Sequence, residues 1–253
     1  MTSRTTLAVL ALSLASAAAD WSLAASQVIA TPVQGLAVRE SQLASESATA
    51  TLTAVVFSEK KYTLRVIDSP APGQTRLADV MRDARALAGV NGGYFQDDLR
   101  PVGLLVADGR TIQPFARAKL LAGILTVRPG RIEIVRSPNF AAGKNLLDAV
   151  QCGPMLVEDS RRVAGLNTER HARRTIVATD GRGQWALCYL TSVSLADSAA
   201  ILLVPGVFGN WTPRTALNLD GGGSSGLWVN ASPAPVSLPE FSFVRDYIGV
   251  FVR

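Results

Sequence analysis

The chain of 253 residues contains a single histidine, His171, and two cysteines, Cys152 and Cys188. The usual zinc sites need three or four His and Cys ligands, so this chain cannot assemble one. Asp220 with neighbouring carbonyl oxygens could ligate a hard cation, but the sequence lacks the dense acidic run of a calcium loop. The sequence therefore identifies no metal site and no cofactor, and it leaves a metal requirement open.

Common nucleotide-binding signatures are missing as well. The glycines at 221–223 precede Ser224, Ser225 and strand-like residues, whereas a Walker loop needs Gly-Lys-Ser/Thr before a helix. No dinucleotide-binding fingerprint is present either. The formal charge is +5, but Lys and Arg are dispersed and no basic run is interleaved with aromatics. These features argue against a nucleic-acid partner.

The N-terminus has the pattern of a cleavable secretory signal. Arg4 precedes an apolar segment at 7–15, and small residues at 17–19 come directly before Asp20, so we predict cleavage after Ala19. A membrane anchor is the alternative, but the segment is shorter than the run of about 20 residues that spanning requires. Cleavage removes Arg4 and no acid, which lowers the formal charge from +5 to +4. We predict a periplasmic or secreted protein without a membrane span.

The two cysteines both follow the predicted cleavage site. In an oxidising compartment an even pair is more often a disulfide than a metal or catalytic site. We therefore expect a bond between Cys152 and Cys188. Two separate buried thiols are the alternative.

Runs of β-branched and aromatic residues between turn signals predict a β-rich protein. Predicted hairpins pair residues 52–57 with 62–67, 102–107 with 110–115, 120–127 with 131–135, and 174–179 with 185–190. The segment 20–50 reads as a lead-in with one strand near 33–38, and residues 243–252 form the last strand. Since the predicted helices are isolated, we expect a single mixed α+β domain over 51–253, with a β-rich sheet.

Helical spacing of apolar residues predicts one helix over residues 77–87, with Thr75 as N-cap and Gly89 just past its end. A capping box from Ser194 to Asp197 opens a second helix, which ends before Pro205. A short third helix is expected over residues 145–150.

Three polar loops follow or precede apolar runs and are candidates for a binding site. They are Asn91-Gly92-Gly93-Tyr94-Phe95, Arg170-His171-Ala172-Arg173-Arg174-Thr175 and Asp220-Gly221-Gly222-Gly223-Ser224-Ser225. Guanidinium groups opposite glycine amides would suit an oxyanion such as phosphate, and a tyrosine beside an asparagine suits a sugar. The alternatives are an ordinary glycine turn, solvated arginines and aromatic residues in the core.

A serine hydrolase would have to pair His171 with Ser224 or Ser225. Neither serine stands in a nucleophile elbow of the G-x-S-x-G kind followed by a helix. A secreted esterase that uses Ser224 is an alternative that lacks this motif.

The order of five motifs resembles the phosphodiester glycosidase family. They are NGGYF at 91–95, P-x-G to DG at 101–109, GPMLV at 153–157, RRT at 173–175 and LNLDGGGSS at 217–225. The resemblance covers residues 85–252 and implies hydrolysis of a sugar joined through its anomeric oxygen to a phosphodiester. The substrate would be a glycan phosphodiester in a glycoconjugate or envelope polymer. A non-catalytic envelope protein that binds glycan or polyphosphate is the alternative.

Carried over by motif, the resemblance implies a pocket of Asn91, Gly92, Gly93, Arg174, Thr175, Asp220, Gly221, Gly222, Gly223 and Ser224. Arg245 resembles the arginine that precedes the family's last strand. Gln96 stands where relatives often have an acid, so no second carboxylate is assigned.

We hypothesise that Asp220 acts at the anomeric carbon as base or nucleophile, because a phosphate already leaves as a stable anion and needs little protonation. Arg174 and the amides of 221–223 would hold the phosphate, and Asn91 would orient sugar hydroxyls. Tyr94, Arg173 and Ser225 complete the expected binding set. His171 would shuttle a proton, with a supporting or surface position as the alternative.

Overall fold

The computed structural model describes residues 20–69 and 76–253. In chain order the first nine strands are β1 (Ser22–Ile29), β2 (Leu36–Ala44), β3 (Thr49–Ser58), β4 (Tyr62–Asp68), β5 (Ala88–Asn91), β6 (Leu105–Ala107), β7 (Arg110–Gln113), β8 (Gly123–Arg128) and β9 (Arg131–Arg136). The next nine are β10 (Asp148–Cys152), β11 (Met155–Glu158), β12 (Arg161–Arg162), β13 (Ala172–Thr179), β14 (Gln184–Val193), β15 (Thr215–Asn218), β16 (Leu227–Val229), β17 (Val236–Leu238) and β18 (Asp246–Val252). Two helices, α1 (Leu77–Asp83) and α2 (Leu195–Leu202), accompany them.

The strands form three antiparallel sheets, which confirms the β-rich α+β prediction. The large sheet has the order β1-β2-β3-β14-β13-β15-β11-β12, the middle sheet β7-β6-β10-β8-β9, and the end sheet β17-β16-β5-β18-β4. No helix among the described residues has the length and apolar character needed to cross a bilayer.

The two faces of the large sheet pack against different layers. In β3, Val55 and Phe57 join the main core with residues of the two smaller sheets. Leu52 and Ala54, on the opposite face, pack under α2. Successive side chains of a strand point to opposite faces of the sheet, so a strand buried on both faces contributes alternate residues to two cores.

The cysteine prediction was wrong because the two thiols lie in different layers. Both are free and buried. Cys152, at the end of β10, belongs to the main core between the sheets, whereas Cys188 of β14 belongs to the core under α2. The large sheet separates the two cores, so burial of two separate thiols is what the fold provides.

Several predicted hairpins are confirmed by pairing. Strand β6 pairs with β7 across Asp108-Gly109, β8 with β9 across Pro129-Gly130, and β13 with β14. The predicted hairpin of β3 and β4 was wrong in its pairing. Both strands exist, but β3 pairs with β2 and β14 while β4 pairs with β18, so the turn between them carries the chain from one sheet into another.

The predictions for the N-terminal segment and for two helices also need correction. The segment 20–50 contains β1 and β2 instead of one short strand. Helix α1 ends at Asp83, since Arg85 adopts a positive φ of 55°. Residues 148–152 form β10, a fully buried strand, in place of the expected helix.

The capping predictions differ in outcome. The Ser194 hydroxyl accepts a hydrogen bond from the Asp197 amide, as the capping box of α2 predicted. Helix α1 starts after Arg76 without a side-chain cap, and its Leu77 amide donates to the Glu240 carboxylate over 2.8 Å. Thr75 and the predicted signal segment lie outside the described residues.

Candidate functional site

The LNLDGGGSS loop crosses from the large sheet to the end sheet. It begins after β15, contains a short 3-10 turn at Gly222–Ser224 and ends at β16. The side-chain amide of Asn91, at the end of β5, lies beneath it. Nδ2 of Asn91 donates to the Asp220 carbonyl oxygen over 2.8 Å, and Oδ1 accepts from the Gly226 amide over 3.1 Å. One buried side chain therefore holds both ends of the loop.

Asn91 also connects the loop to the large sheet. The Thr175 hydroxyl donates to Oδ1 of Asn91 over 2.6 Å, and the Leu219 amide donates to the Thr175 carbonyl over 2.8 Å. Both side chains are fully buried. We therefore assign Asn91 and Thr175 a positioning role, where the sequence hypothesis gave Asn91 contact with sugar hydroxyls.

Asp220 presents a half-buried carboxylate at the start of the loop. Its Oδ1 accepts a hydrogen bond from the Gly221 amide over 2.8 Å. Burial raises the pKa of Asp220, while hydrogen bonds from the Ser224 hydroxyl and the Gly221 amide oppose that rise. This contact makes Ser224 a hydrogen-bond donor to Asp220.

The glycine run leaves amide groups available beside Asp220. Within the described chain, the amides of Gly222 and Gly223 have no hydrogen-bond acceptor. Gly222 has a φ of +66°, and the space where a Cβ would stand is open to 4 Å. Exposed amides in such a turn favour an anion.

Arg173 lies against the same loop. Its Nη2 donates to the Gly223 carbonyl over 3.4 Å, and its guanidinium carbon stands 3.8 Å from the ring centroid of Phe241. Phe241 is 74% exposed, and its amide donates to the Gly223 carbonyl over 2.7 Å. The site thus combines a cation, glycine amides and an exposed aromatic ring.

The Arg174 guanidinium donates to main-chain carbonyls near α2, and its charge also acts on Tyr94 of the site. Arg174 stands opposite Leu190, whose side chain packs in the α2 core, whereas Thr175 stands opposite Tyr189 on the main-core side. Its Nε donates to the Val193 carbonyl over 3.1 Å and its Nη2 to the Arg170 carbonyl over 2.6 Å, and burial lowers its pKa. Arg173 is therefore the arginine of this pair that contacts the glycine loop.

His171 lies at the surface before β13. Its side chain is 57% exposed, Nδ1 lies 2.9 Å from the Glu169 carbonyl, and Nε2 lies 4.0 Å from the Asp197 carboxylate. These contacts place it beside the start of α2 and match the surface alternative.

Asp246 is a buried carboxylate that the sequence reasoning missed. Its Oδ1 accepts from the Gly93 amide over 3.0 Å, its carbonyl accepts from the Gly92 amide over 2.8 Å, and the Gly92 carbonyl accepts from the Asp220 amide over 3.0 Å. Burial raises the pKa of Asp246 to about 7, with the Asp220 and Asp68 charges adding to the rise and Arg245 opposing it. The NGG turn is thus held between Asp246 and the main chain of Asp220.

Gly92 is required by this arrangement. A Cβ at Gly92 would overlap the Asp246 carboxylate, so only glycine admits the contact. Arg245, just before β18, forms an ion pair with Asp68, and its charge opposes the rise in the pKa of Asp246.

Tyr94 and Asn218 form the wall of the site nearest the middle sheet. The Tyr94 hydroxyl donates to the Gly153 carbonyl, and Nδ2 of Asn218 donates to the same carbonyl over 3.0 Å. Burial, with the charge of Asp220, raises the pKa of Tyr94, while the hydrogen bond from Asn218 and the charge of Arg174 oppose that rise. The Tyr94 hydroxyl therefore stays protonated at neutral pH.

Three buried side-chain oxygens around the loop lack a hydrogen-bond partner among the described residues. They are Oδ1 of Asn218, Oγ of Ser225 and Oδ2 of Asp246. Buried polar atoms are normally paired, and orphaned ones concentrate where a protein binds or reacts with something polar. Of the residues that sequence reasoning missed, only Asp246 carried a signal, as an acid at the head of an apolar strand.

Comparison with known proteins gives one family match. The phosphodiester glycosidase family model matches residues 84–251. No protein with a curated description matches the chain at a significant level.

Solved structures share the fold at low sequence identity. A hypothetical protein from Synechocystis aligns with a TM-score of 0.62 and 17% identity, over 87% of this chain and 63% of that one. The catalytic domain of zebrafish N-acetylglucosamine-1-phosphodiester alpha-N-acetylglucosaminidase, auto-inhibited by pro-peptide, aligns with a TM-score of 0.60 and 13% identity, over 90% and 88%. A candidate exported protein of Burkholderia pseudomallei K96243 aligns with a TM-score of 0.54 and 15% identity, over 80% and 74%. The chain thus spans 63% of the length of the Synechocystis protein.

Proposed function

The chain belongs to the phosphodiester glycosidase family, as its motifs predicted, and on that premise we propose that it hydrolyses a sugar-1-phosphodiester. The substrate is a glycoconjugate or envelope polymer outside the cytoplasm, and water replaces the phosphate at the anomeric carbon. The products are a free sugar and a phosphomonoester.

The observation that carries the proposal is the position of Asp220 beside free glycine amides and Arg173. A carboxylate suits a developing oxocarbenium ion, while amides and a guanidinium suit a departing phosphate. The two functions require opposite charges close together. The loop supplies both, because Asp220 directly precedes the glycines and Arg173 reaches Gly223.

The reaction follows from these parts. The bond from the anomeric carbon to the phosphate oxygen breaks, and the electron pair leaves with the phosphate. Asp220 acts on the anomeric carbon directly or takes a proton from the attacking water. Since phosphate departs as a stable anion, a second carboxylic acid to protonate the leaving group is less necessary than in ordinary glycosidases.

The remaining residues position these groups. Ser224 and the Gly221 amide orient the Asp220 carboxylate, and Asn91 holds its main chain. The exposed face of Phe241 offers a platform for the apolar face of a sugar ring. Asp246 holds the NGG turn next to Asp220, because its carboxylate accepts a hydrogen bond from the Gly93 amide.

The direct test is a screen of the purified protein against a panel of sugar-1-phosphodiesters and envelope polymers. Release of both free sugar and phosphomonoester supports the proposal. A ligand that raises the melting temperature without release of either product over hours would instead indicate a non-catalytic glycan-binding protein. Covalent labelling of Ser224 by a fluorophosphonate would indicate an esterase.

A further inference from the structure

A separate cavity of about 590 Å³ opens beside the middle sheet. Its floor includes Phe115 and Phe140, whose rings stack with centroids 5.9 Å apart and planes 15° apart. We call it the Phe115 cavity. A concavity of this size, lined by aromatic rings and a few polar groups, is typical of small-molecule sites.

The rim of the Phe115 cavity is cationic. Arg117, Lys119 and Arg136 line it. Arg136 is neutralised by an ion pair with Glu158. Arg117 and Lys119 are exposed and form no ion pair with any residue that the structure describes. The rim therefore carries two uncompensated positive charges over an aromatic floor.

The segment that carries these two charges is fixed to the sheet. Gln151 of β10 is buried, and its side-chain amide nitrogen, Nε2, donates to the Ala116 carbonyl over 2.8 Å. Its Oε1 accepts from the Ala116 amide over 3.1 Å and from the Leu104 amide over 2.9 Å. A loop without regular secondary structure thus obtains a defined conformation from one buried side chain, as binding sites require.

The far end of this segment reaches the wall of the Asp220 site. A Cβ on Gly153 would overlap the Leu120 carbonyl, so the segment 115–122 packs directly on Gly153. The Gly153 carbonyl in turn accepts hydrogen bonds from Tyr94 and Asn218. The segment that lines the Phe115 cavity therefore contacts Gly153, whose carbonyl belongs to the wall of the Asp220 site.

We propose that the Phe115 cavity binds an adjoining sugar-phosphate unit of a polymeric substrate while Asp220 acts on the unit beside it. The stacked phenylalanine rings would take the apolar face of the sugar, and Arg117 with Lys119 would pair with its phosphate. This inference rests on the proposed function, because it places the second unit relative to the Asp220 site. It makes the substrate class a poly(sugar phosphate).

The test compares two probes. One is a tetramer of N-acetylglucosamine-1-phosphate units, and the other is the methyl phosphodiester of N-acetylglucosamine 1-phosphate. The double variant Arg117→Glu, Lys119→Glu reverses the rim charge. Lys60→Glu, Lys61→Glu is the matched control, since these exposed lysines lie in the turn between β3 and β4.

The ratio of kcat/KM for the tetramer to that for the monomer should fall at least about tenfold in the rim variant and stay unchanged in the control. If the rim variant changed kcat/KM equally for the tetramer and the monomer, or changed neither, the proposal would be overturned. Equilibrium binding of the tetramer is measured in parallel with both variants. If no probe is cleaved, the proposed function fails, while a Kd raised about tenfold by the rim variant alone would still support the cavity. An unaltered Kd would reject it.

Discussion

The side chain of Asn91 donates a hydrogen bond over 2.8 Å to the main-chain carbonyl of Asp220. The donor lies at the end of a strand in the end sheet, and the acceptor follows a strand in the large sheet. The main chain of the proposed reacting residue is thus fixed at the junction of two sheets. Strands hold a catalytic group more precisely than an unsupported loop does.

Replacement of Asn91 should disturb stability and activity together. Asn91→Ala leaves the Asp220 carbonyl, the Gly226 amide and the Thr175 hydroxyl without their partner. The free energy of unfolding should fall by about 3 kcal/mol or more, because each of these three buried polar groups, left without a hydrogen-bond partner, costs about 1–3 kcal/mol. Urea unfolding measures this loss, and kcat/KM should also decrease. Asn230→Ala, at an exposed position, is the control, and equal effects from both variants would contradict the assignment.

The contact between Gly92 and Asp246 predicts a non-additive pair of substitutions. Gly92→Ala should lower the free energy of unfolding by about 1–3 kcal/mol, because its Cβ overlaps the Asp246 carboxylate. Combining it with Asp246→Gly removes the overlap, so the double variant should be more stable than the sum of the two single losses predicts. Thermal or urea unfolding of the four proteins forms the cycle. Simple additivity would show that the contact is not the cause.

Asp246 also predicts a specific pH dependence of stability. Burial raises its pKa in the folded protein to about 7, above the ordinary value of 3.8. Between these values the Asp246 carboxyl keeps a proton in the folded state that it has lost in the unfolded state. The contribution of Asp246 to stability is therefore complete below about pH 4 and is lost as pH rises through about 7. The slope from this group is at most about 1.4 kcal/mol per pH unit.

Asp246→Asn isolates this contribution. Burial raises the pKa of Asp220 and Asp148 as well, so the informative quantity is the difference between wild type and variant. The variant should gain stability relative to wild type as pH increases from 4 to 8, measured by urea unfolding at each pH. A constant difference across this range would rule out titration of Asp246.

The two neighbouring arginines should behave differently. Arg173→Gln removes a cation from the glycine loop and from Phe241, so kcat/KM should fall about 10²-fold or more with little change in stability. Arg174→Gln disrupts hydrogen bonds to Val193 and Arg170 under α2 and should mainly lower stability. Comparing kinetics with melting temperatures for both variants separates the roles. The reverse pattern would restore the phosphate-binding role to Arg174.

Local signals in the sequence predicted local structure correctly. Asp108-Gly109 and Pro129-Gly130 identified their hairpins, and the box from Ser194 to Asp197 identified the start of α2. Strand β10 was missed because DAVQC is buried throughout and shows no alternation that separates a strand from a helix. The partner of β3 was missed because sheet pairing depends on distant segments.

The candidate site was predicted at the level of loops and less well at the level of side chains. The structure brings Asn91, Thr175 and Asp220, all named from the motifs, into one cluster. The choice between Arg173 and Arg174 depends on strand register, which motif spacing does not specify. The burial of Asp246 could not be predicted locally, because the NGG turn that covers its carboxylate lies about 150 residues earlier in the chain.

The most direct test of the account is the rate at which Asp220→Asn cleaves a sugar-1-phosphodiester that the wild type hydrolyses. Asn keeps the size of the side chain and removes its charge, and circular dichroism with thermal unfolding confirms that the variant is folded. We predict that kcat falls by at least about 10²-fold. A folded Asp220→Asn variant that releases free sugar at the wild-type rate would contradict the central role of this carboxylate.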